Sequence, residues 1–252
     1  MRIISVINMK GGCGKTVSSI NIAHILTAEH GAKVLMIDMD KQGNTSKFFD
    51  IYGYEAESVA DVLTVKGYNT ADAVQSTRFE NLDVIPANMR LLLANREVLL
   101  DATRPQQTRL KRAMETLGGR YDYCVIDCAP DINMGTINAL VASDDVLVPV
   151  SIDKFAFDGL GELIDQIENL QDFNSKLKIT GCFVTMLRRD KVNAGGLAWL
   201  RENCPMPMFD TAIRATVRVG ETTYTGEPLM IHAPNSTATQ DYRALVRELL
   251  KR

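Results

Sequence analysis

A glycine-rich segment near the start of the chain has the residue types that bind a phosphate group. It reads KGGCGKT over residues 10–16 and lies between a short apolar run and a helical pattern. Its three glycines let backbone N–H groups converge on an anion, and the positive end of the following helix adds to the attraction. Lys15 would reach the β- and γ-phosphates of a nucleotide, and the Thr16 hydroxyl would ligate Mg²⁺. The usual GxxxxGK[ST] pattern has glycine where this chain has Met9, and Lys10 adds a second lysine to the loop.

Two further segments place carboxylates at the ends of apolar runs. Asp38 and Asp40 belong to DMDKQGN at 38–44, and Asp127 lies in CVIDCAP at 124–130. In an α/β sheet the carboxyl ends of the strands open onto the ligand crevice, so these side chains are expected beside the phosphate loop. Asp127 has the position of a Walker B residue, which holds Mg²⁺ through a water molecule. Of Asp38 and Asp40, we expect only one to face the phosphates.

The elements that must position these residues alternate along the chain between apolar runs and helical patterns. This alternation predicts the α/β class, with a doubly wound, mostly parallel sheet and helices on both faces, because the crossovers must cover both sides. Residues 50–80 are expected to add short helices, and a single domain is expected over 1–252. The predicted strands are 2–7, 33–38, 82–85, 123–126, 146–150 and 179–184, and the predicted helices are 16–30, 89–100, 103–118, 134–142, 157–171 and 235–250.

Composition and charge exclude several classes of protein. The chain has 252 residues, of which 46% are hydrophobic and 23% are charged, a composition that fits neither a disordered protein nor a coiled coil. It contains no apolar run long enough to span a membrane. A net charge of −3 argues against a globally basic nucleic-acid binder. Residues 187–252 nevertheless carry 10 basic and 7 acidic side chains, so a polyanion would bind there. The five cysteines show no zinc spacing, and the opening residues lack a secretory signal, so a cytoplasmic protein with buried thiols is expected.

The segment KGGCGKT resembles the deviant phosphate loop KGGxGKT of the ParA/MinD branch of P-loop ATPases. In that family an additional signature lysine reaches across a nucleotide-sandwich dimer to the partner's phosphates, and the resemblance assigns this role to Lys10. A cation supplied in this way would stabilise charge that develops on the γ-phosphoryl group. The resemblance implies slow, Mg²⁺-dependent ATP hydrolysis in a homodimer, with Lys10, Lys15 and Asp40 as catalytic residues. The residues expected to bind ATP are Lys10, Gly11, Gly12, Cys13, Gly14, Lys15, Thr16 and Val17.

Other segments extend the resemblance over nearly the whole chain. DMDKQGN resembles the DxDPQGN segment of ParA proteins, with Lys41 in place of proline, and by family position Asp40 orients the attacking water. CVIDCAP resembles the family's IDCPP, so Mg²⁺ is expected at Thr16 and, through water, at Asp127, with Asp40 as a further candidate. The match is closest to small ParA/Soj-type partition ATPases, and we expect no helix-turn-helix domain ahead of the loop. Further matches are LDVIPAN at 82–88, VLVPV at 146–150 and FAFDGL at 155–160.

The basic C-terminal quarter carries the arginines that the resemblance assigns to DNA. In ParA/Soj-type proteins, arginines near the positions of Arg189 and Arg218 bind DNA non-specifically in the ATP-bound dimer. Arg188 and Lys191 lie beside Arg189, and Arg214 would lie one helical turn from Arg218 if that segment were helical. Few counterions would be released per subunit, so we expect weak, salt-dependent binding. The resemblance also implies nucleoid association and a ParB-like partner that stimulates hydrolysis, in the segregation of a plasmid, a chromosome or a mobile element.

Two other classes share the deviant loop. MinD-like ATPases bind membranes through a basic amphipathic C-terminal helix, but the apolar stripe of residues 238–251 equally fits a helix packed on the sheet, which we favour. We therefore expect no stable membrane association. A nitrogenase-reductase-like protein needs a cluster-ligating cysteine from each of two loops, whereas Cys124 and Cys128 lie within one strand. Family position also places the adenine near residues 186–188 and 207–210.

Overall fold

The strands form one seven-stranded sheet in the computed structural model, which describes residues 1–153 and 159–252. They are β1 (Arg2–Val6), β2 (Val34–Met39), β3 (Gln75–Ser76), β4 (Leu82–Ile85), β5 (Tyr123–Cys128), β6 (Asp145–Ser151) and β7 (Lys178–Thr185). Their order across the sheet is β3-β4-β2-β5-β1-β6-β7. Neighbouring strands are parallel except β3 and β4, which are antiparallel. The predicted doubly wound, mostly parallel sheet is confirmed.

Helices cover both faces of this sheet. They are α1 (Lys15–His30), α2 (Asn44–Phe48), α3 (Val59–Thr64), α4 (Arg90–Leu100), α5 (Arg109–Thr116), α6 (Met134–Ala142), α7 (Leu160–Leu170), α8 (Lys191–Asn203), α9 (Val217–Thr225), α10 (Leu229–His232) and α11 (Thr237–Leu249). A 3₁₀ turn covers Thr70–Ala73 between α3 and β3. The short helices expected within 50–80 are therefore present, whereas β3 was not predicted.

Several helices differ from the sequence prediction for identifiable reasons. α5 begins at Arg109 instead of residue 103, because Pro105 interrupts the predicted helix and Asp101 accepts hydrogen bonds in a turn before it. α7 begins after Gly159, which has a φ of 84° that favours glycine. The earlier part of that predicted helix, and residues 155–158 of the FAFDGL match, lie outside the described residues. α8 was not predicted, since Leu200 is the one buried residue among its 13.

Each face of the sheet buries its own apolar cluster. α1 and α11 cover the face that carries Val6, Met36 and Val125, and helices α3 to α8 contribute to the cluster on the opposite face. Leu245, Val246 and Leu249 of the α11 apolar stripe are fully buried, in one cluster with residues of α1 and the sheet. The prediction that the C-terminal helix packs on the core is therefore confirmed. No helix among the described residues has the length and apolar character needed to cross a membrane.

Candidate nucleotide site

The phosphate loop joins the carboxyl end of β1 to the start of α1. β1 lies in the interior of the sheet between β5 and β6, so the loop emerges beside the ends of both strands. Gly12 and Gly14 have φ values of 76° and 87°, a left-handed conformation that side chains oppose. Gly14 is the N-cap of α1 and supplies no side chain to cap it. The first N–H groups of α1 are thus left to face an anion, as a phosphate loop requires.

Lys15 and Lys10 lie on this loop in different environments. The Lys15 side chain is buried, and its Nζ donates to the Lys10 carbonyl oxygen over 2.8 Å. The Lys10 Nζ forms an ion pair with Asp153, just after β6. The structure therefore holds the predicted signature lysine on a carboxylate of its own chain. Sequence reasoning missed Asp153, since nothing in the local pattern links it to a lysine far away in the sequence.

Two buried carboxylates lie side by side under the loop. Asp38 on β2 is paired in register with Asp127 on β5, and both are almost completely buried. Asp127 accepts hydrogen bonds from the Thr45 hydroxyl at 2.8 Å and from the Ser19 hydroxyl at 3.4 Å. Burial raises the pKa of Asp127, and a hydrogen bond from Thr16 opposes that shift. Thr16 and Asp127, two of the three candidate Mg²⁺ residues, are thus brought together.

Asp38 is held by the segment that follows its own strand. Its Oδ2 accepts from the Ser46 backbone N–H at 2.9 Å and from the Ser46 hydroxyl at 2.7 Å. Burial and the neighbouring Asp127 carboxylate raise the pKa of Asp38. The hydroxyls of Ser46, Thr45 and Ser19 were not predicted, because isolated serines and threonines carry no pattern. Thr45 and Ser46 directly follow the DMDKQGN segment, which is the one signal that could have drawn attention to them.

Asp40 lies at the rim of this cluster. It follows the last residue of β2, it is partly exposed, and its Oδ1 accepts from the Gln42 backbone N–H at 2.9 Å. Its charge is close enough to raise the pKa of Asp127. Asp38, in contrast, has its carboxylate occupied by Ser46 and by the Asp40 N–H. Asp40 is therefore the more exposed of the two carboxylates, and its orientation toward the phosphates and its role in orienting water stay predictions.

A cavity of about 530 Å³ adjoins the loop, a size that suits a small ligand. Its wall includes Gly14, Val17, Met186 and Arg188, so the predicted adenine stretch 186–188 borders it. The other predicted stretch does not line it. Residues 207–210 pair with the middle of β7 through hydrogen bonds at Cys182, and Phe209 is buried in the core. Residues 213–217 line the cavity in their place.

The four predicted DNA-binding arginines are not equivalent. Arg188 and Arg189 are exposed in the turn between β7 and α8, and Arg218 is exposed in the first turn of α9. Arg214 lies before that helix, so the condition that Arg214 and Arg218 share a helix is not met. The Arg214 guanidinium is bound by Asp241 on α11, with Nη2 2.6 Å from Oδ1 and Nε 2.9 Å from Oδ2. Arg218 pairs with Glu221 one turn later, at 2.9 Å.

The loop and strand cysteines are buried thiols. Cys13 is fully buried in the phosphate loop, and desolvation raises its pKa, so it is a small protonated residue of the loop. Cys124 and Cys128 both point into the core on the face opposite α1, and burial raises the pKa of each. Two thiols in the core of one subunit do not form the ligand set of a cluster shared between two loops.

Comparisons with known proteins agree with this fold. The sequence model of a family described as an AAA domain matches residues 1–179. Soj of Bacillus subtilis, a sporulation initiation inhibitor protein, is 35% identical over 250 residues, which cover 98% of each chain. The chromosome partitioning protein ParA of Caulobacter vibrioides is 34% identical over 256 residues, covering 100% of this chain and 95% of ParA. Cobyrinic acid a,c-diamide synthase of Mycobacterium smegmatis, solved with an ATP analogue and magnesium, is 28% identical with a TM-score of 0.86, covering 100% of this chain and 95% of the synthase.

A mostly parallel sheet in which an interior strand leads through a glycine-rich loop into a helix defines a P-loop nucleotide-binding fold. Soj and ParA, which match over nearly the full length of the chain, identify the family within this fold. The chain belongs to the ParA/MinD-type P-loop ATPases, among the ParA-type partitioning ATPases.

Proposed function

We propose that the protein is an ATP-gated dimer switch that hydrolyses ATP with Mg²⁺ and binds DNA non-specifically in its ATP-bound state. The observation that carries the proposal is the joint placement of Lys10, Lys15 and Thr16 on one loop beside Asp127. Residues 10–17 would bind the phosphates of ATP. Thr16 would ligate Mg²⁺ directly and Asp127 through water, with Asp40 at the rim positioned to orient the attacking water.

The position of Lys10 supports the dimer part of the proposal. Lys15 is buried within the loop, whereas the Lys10 side chain is about one third exposed and pairs with Asp153 at the surface. An exposed ion pair contributes little free energy, so Lys10 can leave Asp153 at low cost for the phosphates of a partner subunit. Hydrolysis would then be slow in the monomer, because the second cation arrives only on dimerisation.

Exposed arginines support the DNA part of the proposal. Arg188, Arg189 and Arg218 present their guanidinium groups at the surface near the nucleotide cavity, and residues 187–252 carry a net charge of +3. Arg214 belongs to the same set, but its charge is already paired with Asp241. A few arginines per subunit suit reversible binding that a dimer strengthens by doubling the patch. Such a switch, with a ParB-like partner that stimulates hydrolysis, fits partitioning of a plasmid, a chromosome or a mobile element.

The membrane-recruited alternative has no observation in its favour. The apolar stripe of α11 is buried in the core, so the described helix has no free apolar face to insert into a lipid surface.

A DNA gel shift tests the switch directly. Wild type and Arg218→Glu are compared with ATP, with ADP and without nucleotide, at two salt concentrations. Wild type is expected to shift DNA with ATP alone, more weakly at the higher salt, and Arg218→Glu is expected to lose the shift. Arg120→Glu is the matched control, since Arg120 is exposed just before β5, at the opposite end of the strands from the loop. Equal binding with and without ATP would refute the switch, and equal loss in both variants would show an effect of net charge alone.

A further inference from the structure

Two cysteines outside the nucleotide site lie in contact. The Sγ atoms of Cys182 and Cys204 are 3.4 Å apart. Cys182 lies in the middle of β7 and is fully buried, whereas Cys204 is the C-cap residue of α8 and is partly exposed. Their sequence separation of 22 residues means that the packing of α8 on β7 creates the contact.

The two thiols differ in their chemistry. The two sulfurs lie within hydrogen-bond distance, and a thiolate at Cys204 would accept from the Cys182 thiol, an interaction that lowers the pKa of Cys204. A thiolate that solvent can reach is the reactive form of cysteine. Cys13, Cys124 and Cys128 are buried, and desolvation raises the pKa of each. Cys204 is therefore the cysteine of this chain that combines access with an acidic thiol.

We propose that Cys204 and Cys182 form an oxidation site that a hydroperoxide converts to an intramolecular disulfide. The Cys204 thiolate attacks the peroxide oxygen, so that an S–O bond forms, the O–O bond breaks and hydroxide or alkoxide leaves. The sulfur of Cys182 then attacks the sulfur of the resulting sulfenic acid, its proton joins the departing hydroxyl, and water is released. Two thiols are oxidised by two electrons in total, and the peroxide is reduced. The sulfur atoms move from 3.4 Å to about 2.05 Å apart.

The disulfide would tie a largely exposed helix to the sheet. Leu200 is the one buried residue of α8, and the helix approaches the end of β6 so closely at Gly196 that a Cβ there would overlap Ile152. Ile152 precedes Asp153, which pairs with Lys10. β7, the strand that carries Cys182, ends at Thr185, beside the nucleotide cavity. Oxidation would thus restrain a helix that contacts the segment next to the phosphate loop.

Peptide mapping of the full chain tests the proposal without any substitution. The reduced protein is treated with hydrogen peroxide at increasing ratios, alkylated and digested with trypsin. The expected first product is a cross-link between peptides 179–188 and 202–214 that dithiothreitol reverses. Peptides 11–15 and 121–154 carry the other three cysteines and serve as internal controls. Earlier oxidation of those peptides, a link between two chains, or Cys204 sulfinic acid without a cross-link would each overturn the proposal.

Two variants separate the roles of the sulfurs. Cys182→Ser removes the second sulfur, so Cys204 is expected to persist as a sulfenic acid that dimedone labels. Cys204→Ser changes a partly exposed residue and leaves Cys182 buried. In this variant, the rate at which peroxide oxidises Cys182 is expected to be at least tenfold lower than in wild type. Unchanged oxidation of Cys182 in Cys204→Ser would refute the assigned order. In wild type, amide hydrogen exchange in α8 should slow on oxidation, and exchange that is unchanged or faster would refute the restraint on the helix.

Discussion

At the nucleotide site, Asp38 and Asp127 are almost completely buried and accept hydrogen bonds from hydroxyls on α1 and α2. In the C-terminal region, Arg188, Arg189 and Arg218 are exposed, and Arg218 is held by a carboxylate on its own helix. Buried charges with fixed partners keep one geometry, because moving them leaves polar groups unsatisfied. Exposed arginines exchange partners at little cost. The first region is therefore preorganised for chemistry, and the second suits reversible binding.

The largest expected effect comes from Lys10, which lies on the phosphate loop but pairs with a carboxylate at the surface. Lys10→Ala should lower the rate of ATP hydrolysis about 10³-fold, because it removes the cation that Lys10 would supply to the γ-phosphoryl group across the proposed dimer. Phosphate release at saturating ATP measures this rate. ATP affinity of the monomer should stay nearly unchanged, since Lys10 pairs with Asp153 and not with the loop. The control is Lys33→Ala, an exposed lysine just before β2, and a wild-type rate in Lys10→Ala would remove this residue from the mechanism.

Lys15, the buried lysine of the loop, should control the affinity for ATP and not only the rate of hydrolysis. Lys15→Ala removes a buried cation that is expected to pair with phosphate oxygens, so ATP affinity should fall at least about 30-fold. Titration with a fluorescent ATP analogue measures the change, and circular dichroism checks that the fold is intact. An affinity that falls equally in Lys10→Ala and Lys15→Ala would contradict the distinction between the two lysines.

The fold and the loop could be predicted from the sequence because both depend on local patterns. The alternation of apolar runs with helical patterns predicts the sheet, and the local motif KGGCGKT predicts the phosphate loop. The contacts that complete the site are not local. Asp153 reaches Lys10, and the Thr45 hydroxyl reaches Asp127, through packing that no spacing encodes. Arg214 lines the cavity for the same reason, because Asp241 on α11 holds it there.

The buried carboxylates should also leave a signature in the stability of the nucleotide-free protein. Burial raises the pKa of Asp38 above its unfolded value of 3.8, so the folded state keeps a proton that the unfolded state releases. The resulting stability is fully present below about pH 4 and is lost as pH rises through the folded pKa. Asp38→Asn removes this contribution to the pH dependence. The difference in the free energy of unfolding between Asp38→Asn and wild type should therefore be more favourable to the variant at pH 8 than at pH 4, by at least about 1 kcal/mol. Urea unfolding in EDTA measures the difference.

The control for that measurement is an exposed carboxylate on the same chain. Asp165 lies on the exposed side of α7, so Asp165→Asn is the matched control for the loss of one carboxylate charge. If the free energy of unfolding of Asp38→Asn has the same pH dependence as that of wild type, Asp38 ionises in the folded state as freely as in the unfolded state. That result would weaken the contrast between the buried nucleotide site and the exposed C-terminal region.

The smallest expected effect concerns the partner of an exposed arginine. Glu221 pairs with Arg218 at 2.9 Å and also contacts His232 at 2.8 Å, so its carboxylate would compete with DNA phosphate for the guanidinium in the proposed complex. Glu221→Gln keeps the size of the side chain and should raise DNA affinity in the ATP state about twofold to fivefold. Fluorescence anisotropy at several salt concentrations measures it, and a steeper salt dependence is expected because Arg218 becomes free to bind phosphate. Glu202→Gln removes the same charge from exposed α8, and an equal gain in both variants would assign the effect to net charge instead of to the Arg218 pair.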